Sequence, residues 1–233
     1  MKNKCTFLDI GLMDYEKVWK IQEEIHIKLI KNNPDSQEMN QNTNYIIFCE
    51  HPHVYTLGKS GKENNLLIND TFLKNINATY FKTNRGGDIT YHGPGQIVGY
   101  PILNLDNLKI GVKKYIYLLE QSIIDTLKLY SIKGERLEGS TGVWLDVNDP
   151  ARVRKICAIG VRLSRSVTMH GFALNVNTDL TYFNHINPCG FNDKGVTSIE
   201  KEMRVLVDMK RVKTDLLNTI KENFKLEIIN SVL

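Results

Sequence analysis

Glycine is concentrated in residues 85–100, which read RGGDITYHGPGQIVGY. Five of these sixteen residues are glycine, well above the roughly 7% that is usual in proteins. Glycine permits backbone conformations and close approaches that a Cβ would forbid. Arg85 opens the stretch, and His92 and Gln96 are its last polar residues. The pattern predicts a loop against which a ligand lies; a structural hairpin whose glycines serve only turns is the alternative.

Two known nucleotide-binding loops do not fit this region. The glycines of residues 93–99 lead into the β-rich run of residues 97–103, whereas a dinucleotide-binding turn must open into a helix. Residues 58–62 read GKSGK, but Thr56 stands where a phosphate-binding P-loop needs its first glycine, and Glu63 replaces its serine or threonine. The glycine-rich turn is therefore predicted to feed a strand, and no nucleotide site follows from either pattern.

The composition indicates one globular domain over residues 1–233 with no nucleic-acid partner. The formal charge is only +4, from 30 basic and 26 acidic residues, which is too mild for a nucleic-acid footprint. A local basic surface for an acidic protein is still possible. Residues 1–10 are interrupted by Lys4 and Asp9, so neither a signal peptide nor a membrane span is expected there. We expect a cytoplasmic protein that does not contact a membrane.

The hydrophobic periodicity mixes strands and helices without strict alternation. Short apolar or alternating runs predict strands at residues 4–10, 45–49, 79–82, 96–105, 142–145, 155–163 and 167–176. Helical spacing predicts helices at residues 15–31, 111–129 and, after the cap Asp208, up to Phe224; a helical turn follows Thr178 or Asp179 through Phe183, and the polar residues 32–44 read as a surface loop. These elements predict an α+β fold, a mixed β-sheet flanked by helices.

The helical spacing also predicts which side chains enter the core. In residues 111–129 the predicted apolar stripe is Val112, Ile116, Leu119, Ile123 and Leu127. In residues 15–31 the predicted stripe is Tyr15, Val18, Gln22, Ile25 and Leu29, with His26 beside it.

Four histidines form the only candidate metal set. His51, His53, His92 and His170 would have to converge in the fold, yet the His-x-His pair has no carboxylate or thiol at ligand spacing. Imidazoles held by hydrogen bonds are the commoner outcome, so no metal is predicted. The cysteines at 5, 49, 157 and 189 lack the paired spacing of a zinc site and the density of a disulfide scaffold. They are predicted to be thiols.

Two residues have the setting of catalytic groups. Lys155 opens an otherwise apolar strand, and burial of its ammonium would lower the pKa and make it a general base near neutral pH. A strand-end lysine that reaches into water is the alternative. Cys189 lies between Pro188 and Gly190, so a tight turn would present the thiol with backbone N–H groups beside it. A small buried cysteine in a turn is the alternative here.

Several motifs in this order resemble the lipoate-protein octanoyltransferase family. The similarity covers roughly residues 5–225, and its motifs are Glu50-His51-Pro52 with Tyr55-Thr56-Leu57-Gly58, Arg85-Gly86-Gly87 with Thr90-Tyr91-His92-Gly93-Pro94-Gly95-Gln96, Lys155 with Ala158-Ile159-Gly160, His170-Gly171-Phe172-Ala173-Leu174-Asn175, Asn187-Pro188-Cys189-Gly190 and Val196-Thr197-Ser198. The resemblance implies a fold shared with the catalytic domains of biotin and lipoate ligases. It implies no metal and no cofactor.

The resemblance also implies roles for particular residues. Cys189 would be the acyl-thioester nucleophile, and Lys155 would lower its pKa. The acyl-binding site would be lined by Arg85, Gly86, Gly87, Asp88, Ile89, Thr90, Tyr91, His92, Ala158, Ile159, Gly160, Gly171, Phe172 and Ala173. Family members move an octanoyl group from octanoyl-acyl carrier protein to a lysine of lipoyl domains, so the implied acceptors are the lipoyl domains of 2-oxoacid dehydrogenase complexes and the glycine cleavage H protein. The small residues among these positions predict an apolar tunnel for a straight alkyl chain.

One position departs from the family pattern, and two other functions stay open. Cys157 stands two residues after Lys155 where the family has a small apolar residue, and strand alternation would put both on one face, roughly 7 Å apart. Cys157 is therefore a rival nucleophile, although a turn presents a thiol better than a strand does. The alternative functions are an ATP-dependent lipoate or biotin ligase and a non-catalytic module that binds a carrier protein or a fatty acid.

Overall fold

The computed structural model describes residues 3–31, 44–187 and 195–232. The helices are α1 (Tyr15–Lys31), α2 (Asp70–Asn75), α3 (Leu105–Leu108), α4 (Val112–Leu129), α5 (Ile199–Met203) and α6 (Met209–Phe224), with 3-10 turns at Glu63–Asn65 and Leu180–His185. The strands are β1 (Asn3–Leu12), β2 (Asn44–Glu50), β3 (Val54–Leu57), β4 (Thr79–Lys82), β5 (Ile89–His92), β6 (Gln96–Ile102), β7 (Glu135–Leu137), β8 (Ser140–Leu145), β9 (Arg154–Ser164), β10 (Val167–Asn175), β11 (Gly195–Val196) and β12 (Leu226–Val232). The loop predicted at residues 32–44 lies outside the described residues except for Asn44, which begins β2, and the turn predicted at residues 187–190 lies outside them except for Asn187.

The main sheet is mixed and carries most of the described chain. Its strand order is β12-β1-β2-β6-β10-β9-β8-β7, and β11 pairs with β9. The β1 strand is parallel to β2 and to β12, and β11 is parallel to β9, whereas the pairs from β2 through β6, β10, β9 and β8 to β7 are antiparallel. Helices pack on this sheet, so the predicted α+β class is confirmed.

The two faces of the main sheet are covered by different helices. The larger hydrophobic core lies between one face and the buried sides of α4 and α6. On the other face, α1 packs on a smaller apolar cluster of β2, β6 and β10 side chains. Helix α4 buries Tyr115, Leu119, Ile123 and Leu127, each four residues apart. The predicted stripe was wrong at Val112, which is 42% exposed because it is the first residue of the helix. Tyr115 takes its place in the core.

Helix α1 has the predicted bounds but a more polar buried side than expected. It buries Gln22 and His26, whereas Ile25 is only partly buried. The imidazole Nε2 of His26 lies 3.3 Å from the carbonyl oxygen of Val167 on β10. Buried polar groups need such partners, so His26 ties the helix to the sheet.

A second sheet of three strands stands beside the main one. Its order is β4-β3-β5, with β3 parallel to β4 and antiparallel to β5. Strand β5 lies inside the glycine-rich stretch, so residues 85–100 form two strands rather than one long loop. The prediction that the glycine turn feeds a strand is confirmed by β6, which starts at Gln96. The predicted caps are also present: Asp179 and Asp208 each accept a backbone N–H at the start of their helical segments.

Candidate active site

A cavity of about 270 Å³ lies where β6, β8, β9 and β10 of the main sheet meet β5 of the second sheet. The side chains on this face form three successive rows across β6, β10 and β9, because Gln96 pairs with Asn175, Val98 with Ala173, Ala173 with Ala158, and Gly171 with Gly160. Residues two apart on a strand share a face, so Tyr100 continues the β6 side. The first row is Gln96 and Asn175, the second is Val98, Ala173 and Ala158, and the third is Tyr100, Gly171 and Gly160.

The first row is a buried hydrogen-bond network. The Gln96 amide nitrogen donates to Asn175 Oδ1 at 2.9 Å and to the Tyr91 carbonyl oxygen at 3.1 Å. Its oxygen lies 2.8 Å from Nδ1 of His92. Burial holds the pKa of His92 well below its usual value, so the imidazole is neutral at pH 7 and donates from Nδ1 to Gln96. The Thr56 hydroxyl lies 3.3 Å from the other ring nitrogen.

The third row contains glycines because the backbone passes too close for a side chain. A Cβ at Gly171 would lie 2.1 Å from the Gly99 carbonyl oxygen, and a Cβ at Gly160 would lie 2.9 Å from that of Gly86. Arg85 crosses over Gly160 and donates to the Thr56 carbonyl at 2.5 Å and to the Gly86 carbonyl at 3.0 Å. These contacts fix the guanidinium at the cavity wall.

Lys155 lies at the open end of the cavity. Its Nζ is 4.4 Å from the centre of the Trp144 ring, a separation at which the ring face attracts an ammonium. Thr141 and Gly195, which line the same end, are exposed. Val196 of β11 pairs with Lys155 in parallel register. The lysine head therefore stands at the mouth and not in the sealed interior.

The structure brings most of the predicted acyl-site residues together around this one cavity. Those that line it are Arg85, Gly87, Asp88, Ile89, Thr90, His92, Ala158, Ile159, Gly160, Gly171, Phe172 and Ala173, together with Lys155. Two predicted residues stand behind the wall. Gly86 donates its N–H to the Val161 carbonyl at 2.9 Å, and Tyr91 stacks with Tyr182 in the core of the second sheet. Cys189 lies outside the described residues.

Cys157 is buried in the main core and does not line the cavity. It has no exposed surface, and burial raises the pKa of its thiol, although the charge of Lys155 acts in the opposite direction. The pairing of β8 with β9 shifts register between Val143 and Trp144, which face Cys157 and Lys155 respectively. Such a bulge interrupts side-chain alternation. The expectation that both residues share a face at the site was wrong for this reason.

The four histidines considered for a metal are held by other partners. Burial lowers the pKa of His51 to about 4, so its ring is neutral at pH 7; Nδ1 donates to the Met13 carbonyl oxygen at 2.7 Å, and Nε2 accepts from the Tyr100 hydroxyl at 2.8 Å. His53 stacks on Tyr182 at a ring separation of 4.1 Å. Across the described ranges, no three His, Cys, Asp or Glu side chains are grouped to hold a metal ion.

Several wall residues escaped the sequence analysis, although one signal could have found them. Val98 and Tyr100 alternate with Gln96 on β6, so strand periodicity alone places them on the face that Gln96 occupies. Trp144 and Tyr15 reach the cavity only through tertiary contacts.

Within the described segments, no helix is long and apolar enough to cross a membrane.

Comparison with known proteins identifies the family of this chain. Residues 14–221 match the family described as lipoyl protein ligase A/B catalytic domain. The octanoyltransferase of Cytophaga hutchinsonii is 51% identical over 235 residues, covering 98% of this chain and 96% of that protein. That of Bacteroides fragilis is 55% identical over 215 residues, covering 91% and 95%.

Solved structures support the predicted fold. A chain from the lipoylation system of Thermoplasma acidophilum, a bipartite lipoate protein ligase and its E2 lipoyl domain, superposes with a TM-score of 0.75 at 12% identity, covering 99% of this chain and 88% of that chain. The fold predicted from the sequence is therefore confirmed, and the long, highly identical matches decide the family. The chain belongs to the lipoyl protein ligase A/B catalytic-domain family and, within it, to the octanoyltransferases.

Proposed function

We propose that this protein moves an octanoyl group from octanoyl-acyl carrier protein, through a thioester on Cys189, to a lysine of lipoyl domains. The acceptors are the lipoyl domains of 2-oxoacid dehydrogenase complexes and the glycine cleavage H protein. One observation carries the proposal: a cavity with an apolar middle row has a lysine at its mouth. The reaction is carried out by a single catalytic domain, residues 1–233, in the cytoplasm, and it needs no metal or cofactor.

The second row suits a straight alkyl chain. Ala158 and Ala173 present only methyl groups, and Val98 completes an apolar strip between the polar first row and the glycine-rich third row. Burying a methylene against such a surface stabilises by about 0.8 kcal/mol. The first row is polar: both Gln96 amide hydrogens are already donated within it, and the Asn175 amide, which donates one hydrogen to the Thr197 carbonyl, has a second that could reach the acyl carbonyl. The octanoyl carbonyl would therefore lie toward the mouth and its tail toward the interior.

The position of β11 supports the role of Cys189. Gly195 and Val196 follow the cysteine by only a few residues, and both line the cavity mouth beside Lys155. On the other side, the Asn187 N–H donates to the Asn65 carbonyl at 2.8 Å. The described chain resumes at the cavity mouth six residues after Cys189, and this supports the proposal that the thiol acts beside Lys155.

The proposed chemistry has two acyl transfers. Neutral Lys155 takes the thiol proton as Cys189 sulfur attacks the carrier thioester; the carbon–sulfur bond to the carrier breaks, and the Lys155 ammonium returns the proton to the departing carrier thiol. The acceptor lysine amine then attacks the Cys189 thioester and loses a proton to Lys155, which passes it to the Cys189 sulfur. Conversion of a thioester into the more stable amide makes the overall reaction favourable.

Mass spectrometry of the intact protein tests this function. Incubation with octanoyl-acyl carrier protein in the absence of ATP is expected to add one octanoyl group, which a lipoyl domain added later removes. Hydroxylamine sensitivity of the adduct identifies a thioester. Transfer only from octanoate and ATP would instead establish a ligase, and tight binding without an adduct or turnover would establish a binding module.

Replacing Cys157 by alanine is expected to leave the adduct and the transfer rate within about twofold of the unmodified protein. The thiol is sealed in the core, so its removal costs only packing, roughly 1 kcal/mol for a small buried group. Rates of octanoyl transfer and thermal unfolding measured side by side check this. Loss of the adduct in a Cys157→Ala protein that unfolds cooperatively would make Cys157 the nucleophile.

A further inference from the structure

The inner end of the cavity is polar, although its middle is apolar. Tyr100 of the third row lines it, and so does His170, the residue before Gly171. Both side chains are almost fully buried, with exposed fractions of 3% and 1%. An alkyl chain that extends past the second row therefore meets polar groups that water does not reach freely.

His170 presents a buried nitrogen without a protein partner. Its Nε2 lies 2.7 Å from the Asn84 side-chain oxygen, so Nε2 donates, and Nδ1 has no hydrogen-bond partner among the described residues. Burial lowers the pKa of His170 to about 3, which makes the ring neutral and Nδ1 an acceptor. The residue has φ +59°, a conformation uncommon for a side chain other than glycine.

Helix α1 brings two further nitrogens to the same place. The ring centres of Trp19 and His170 are 6.0 Å apart, and the Gln22 side-chain oxygen accepts the His170 backbone N–H at 3.1 Å. The Gln22 amide lies near the Tyr100 hydroxyl. Trp19 Nε1 and Gln22 Nε2 are buried and, within the described structure, have no partner at hydrogen-bond distance. Two buried donors and one buried acceptor on neighbouring side chains are groups that one buried water molecule can bind.

The strand spacing places this end beyond the reach of an octanoyl tail. His170 pairs with Val161, six residues after Lys155 on β9, which is roughly 20 Å along the strand. The second row at Ala158 is roughly 10 Å from Lys155 by the same measure. An extended octanoyl group spans roughly 9 Å, from carbon–carbon bonds of about 1.5 Å. Its tail therefore ends near the second row, and only a longer chain crosses the third.

We propose that Trp19, Gln22 and His170 bind one water molecule behind the third row and that this hydrated end wall sets the upper limit of acyl chain length. The inference rests on the proposed function, since it concerns the same cavity. A longer chain must displace the water and leave the three nitrogens unpaired beside methylene groups. Buried polar groups without partners are costly. Chains longer than octanoyl are therefore rejected by the polar end of the cavity, and not because the cavity is too short.

Two tryptophan variants test the end wall. Trp19→Phe removes one donor and keeps an aromatic ring, so the water is held less firmly. The ratio of dodecanoyl to octanoyl transfer, measured with the two acyl carrier proteins, is expected to rise about fivefold to tenfold. Trp144→Phe makes the same change at the mouth and is expected to leave that ratio unchanged. An unchanged ratio in both Trp19→Phe and His170→Asn, with each variant shown to unfold cooperatively, overturns the proposal.

A binding measurement separates this inference from the proposed function. Calorimetry with free octanoate and dodecanoate needs no transfer, and the unmodified protein is expected to bind octanoate more tightly. Trp19→Phe is expected to lower the ratio of the dodecanoate Kd to the octanoate Kd about fivefold. If no octanoyl adduct forms but this pattern holds, the proposed function fails and the end wall stands. If the unmodified protein binds dodecanoate as tightly as octanoate, the end wall is refuted whatever the adduct result.

Discussion

Cys189→Ala is expected to abolish the octanoyl adduct and to lower octanoyl transfer by at least about a thousandfold. Without the sulfur, the acceptor amine must attack the carrier thioester directly, and both proteins would have to meet in one productive geometry. The acyl chain can still enter the tunnel, since Val98, Ala158 and Ala173 are untouched. Binding of octanoate should therefore change little while transfer is lost.

Intact-mass spectra and initial rates measure both outcomes on the same samples. Cys157→Ala is the matched control, because it makes the same substitution at the rival candidate nucleophile. The proposed nucleophile is wrong if Cys189→Ala retains a hydroxylamine-sensitive octanoyl adduct. Cys189→Ser adds a second comparison, because a hydroxyl would form an ester that resists neutral hydroxylamine.

The sequence predicted which residues gather around the cavity better than it predicted the path of the chain around it. Gly160 and Gly171 were predicted from the sequence. The structure gives the reason for both glycines, since other backbone atoms pass within 3 Å of the position that a Cβ would take. Strand alternation then orders Gln96, Val98 and Tyr100 along one face. Local pattern therefore identified the glycines, whereas Val98 and Tyr100 were not predicted although their alternation with Gln96 could have revealed them.

Other features depend on contacts that no local pattern contains. The bulge opposite Trp144 decides that Lys155 reaches the mouth while Cys157 enters the core. Strand β12 follows directly after α6 and pairs in parallel with β1, a pairing between the two ends of the described chain that periodicity cannot reveal. Strand β5 has only four residues and lies among the glycines of residues 85–100, which read as a loop. Tertiary pairing, not propensity, fixes these elements.

Lys155→Ala is expected to lower octanoyl transfer by about a hundredfold to ten-thousandfold, the range that a positioned general base and acid contributes. Lysine has a second effect through its charge. A nearby ammonium stabilises the thiolate and lowers the pKa of a cysteine. Its removal should raise the pKa of Cys189, so the pH at which iodoacetamide labels this thiol at half its maximal rate should move upward.

Lys155→Arg separates the two effects. A guanidinium keeps the positive charge over the Trp144 ring, which Lys155 Nζ now approaches to 4.4 Å, but it does not lose its proton near neutral pH. The labelling profile of Lys155→Arg should therefore stay close to that of the unmodified protein, while its transfer rate should fall nearly as far as that of Lys155→Ala. If Lys155→Ala does not change the pH dependence of labelling, the charge effect is ruled out. If Lys155→Arg transfers octanoyl at the full rate, proton transfer by Lys155 is ruled out. Because each result addresses one role, the pair of variants decides whether the lysine at the cavity mouth acts by its charge, by its proton or by both.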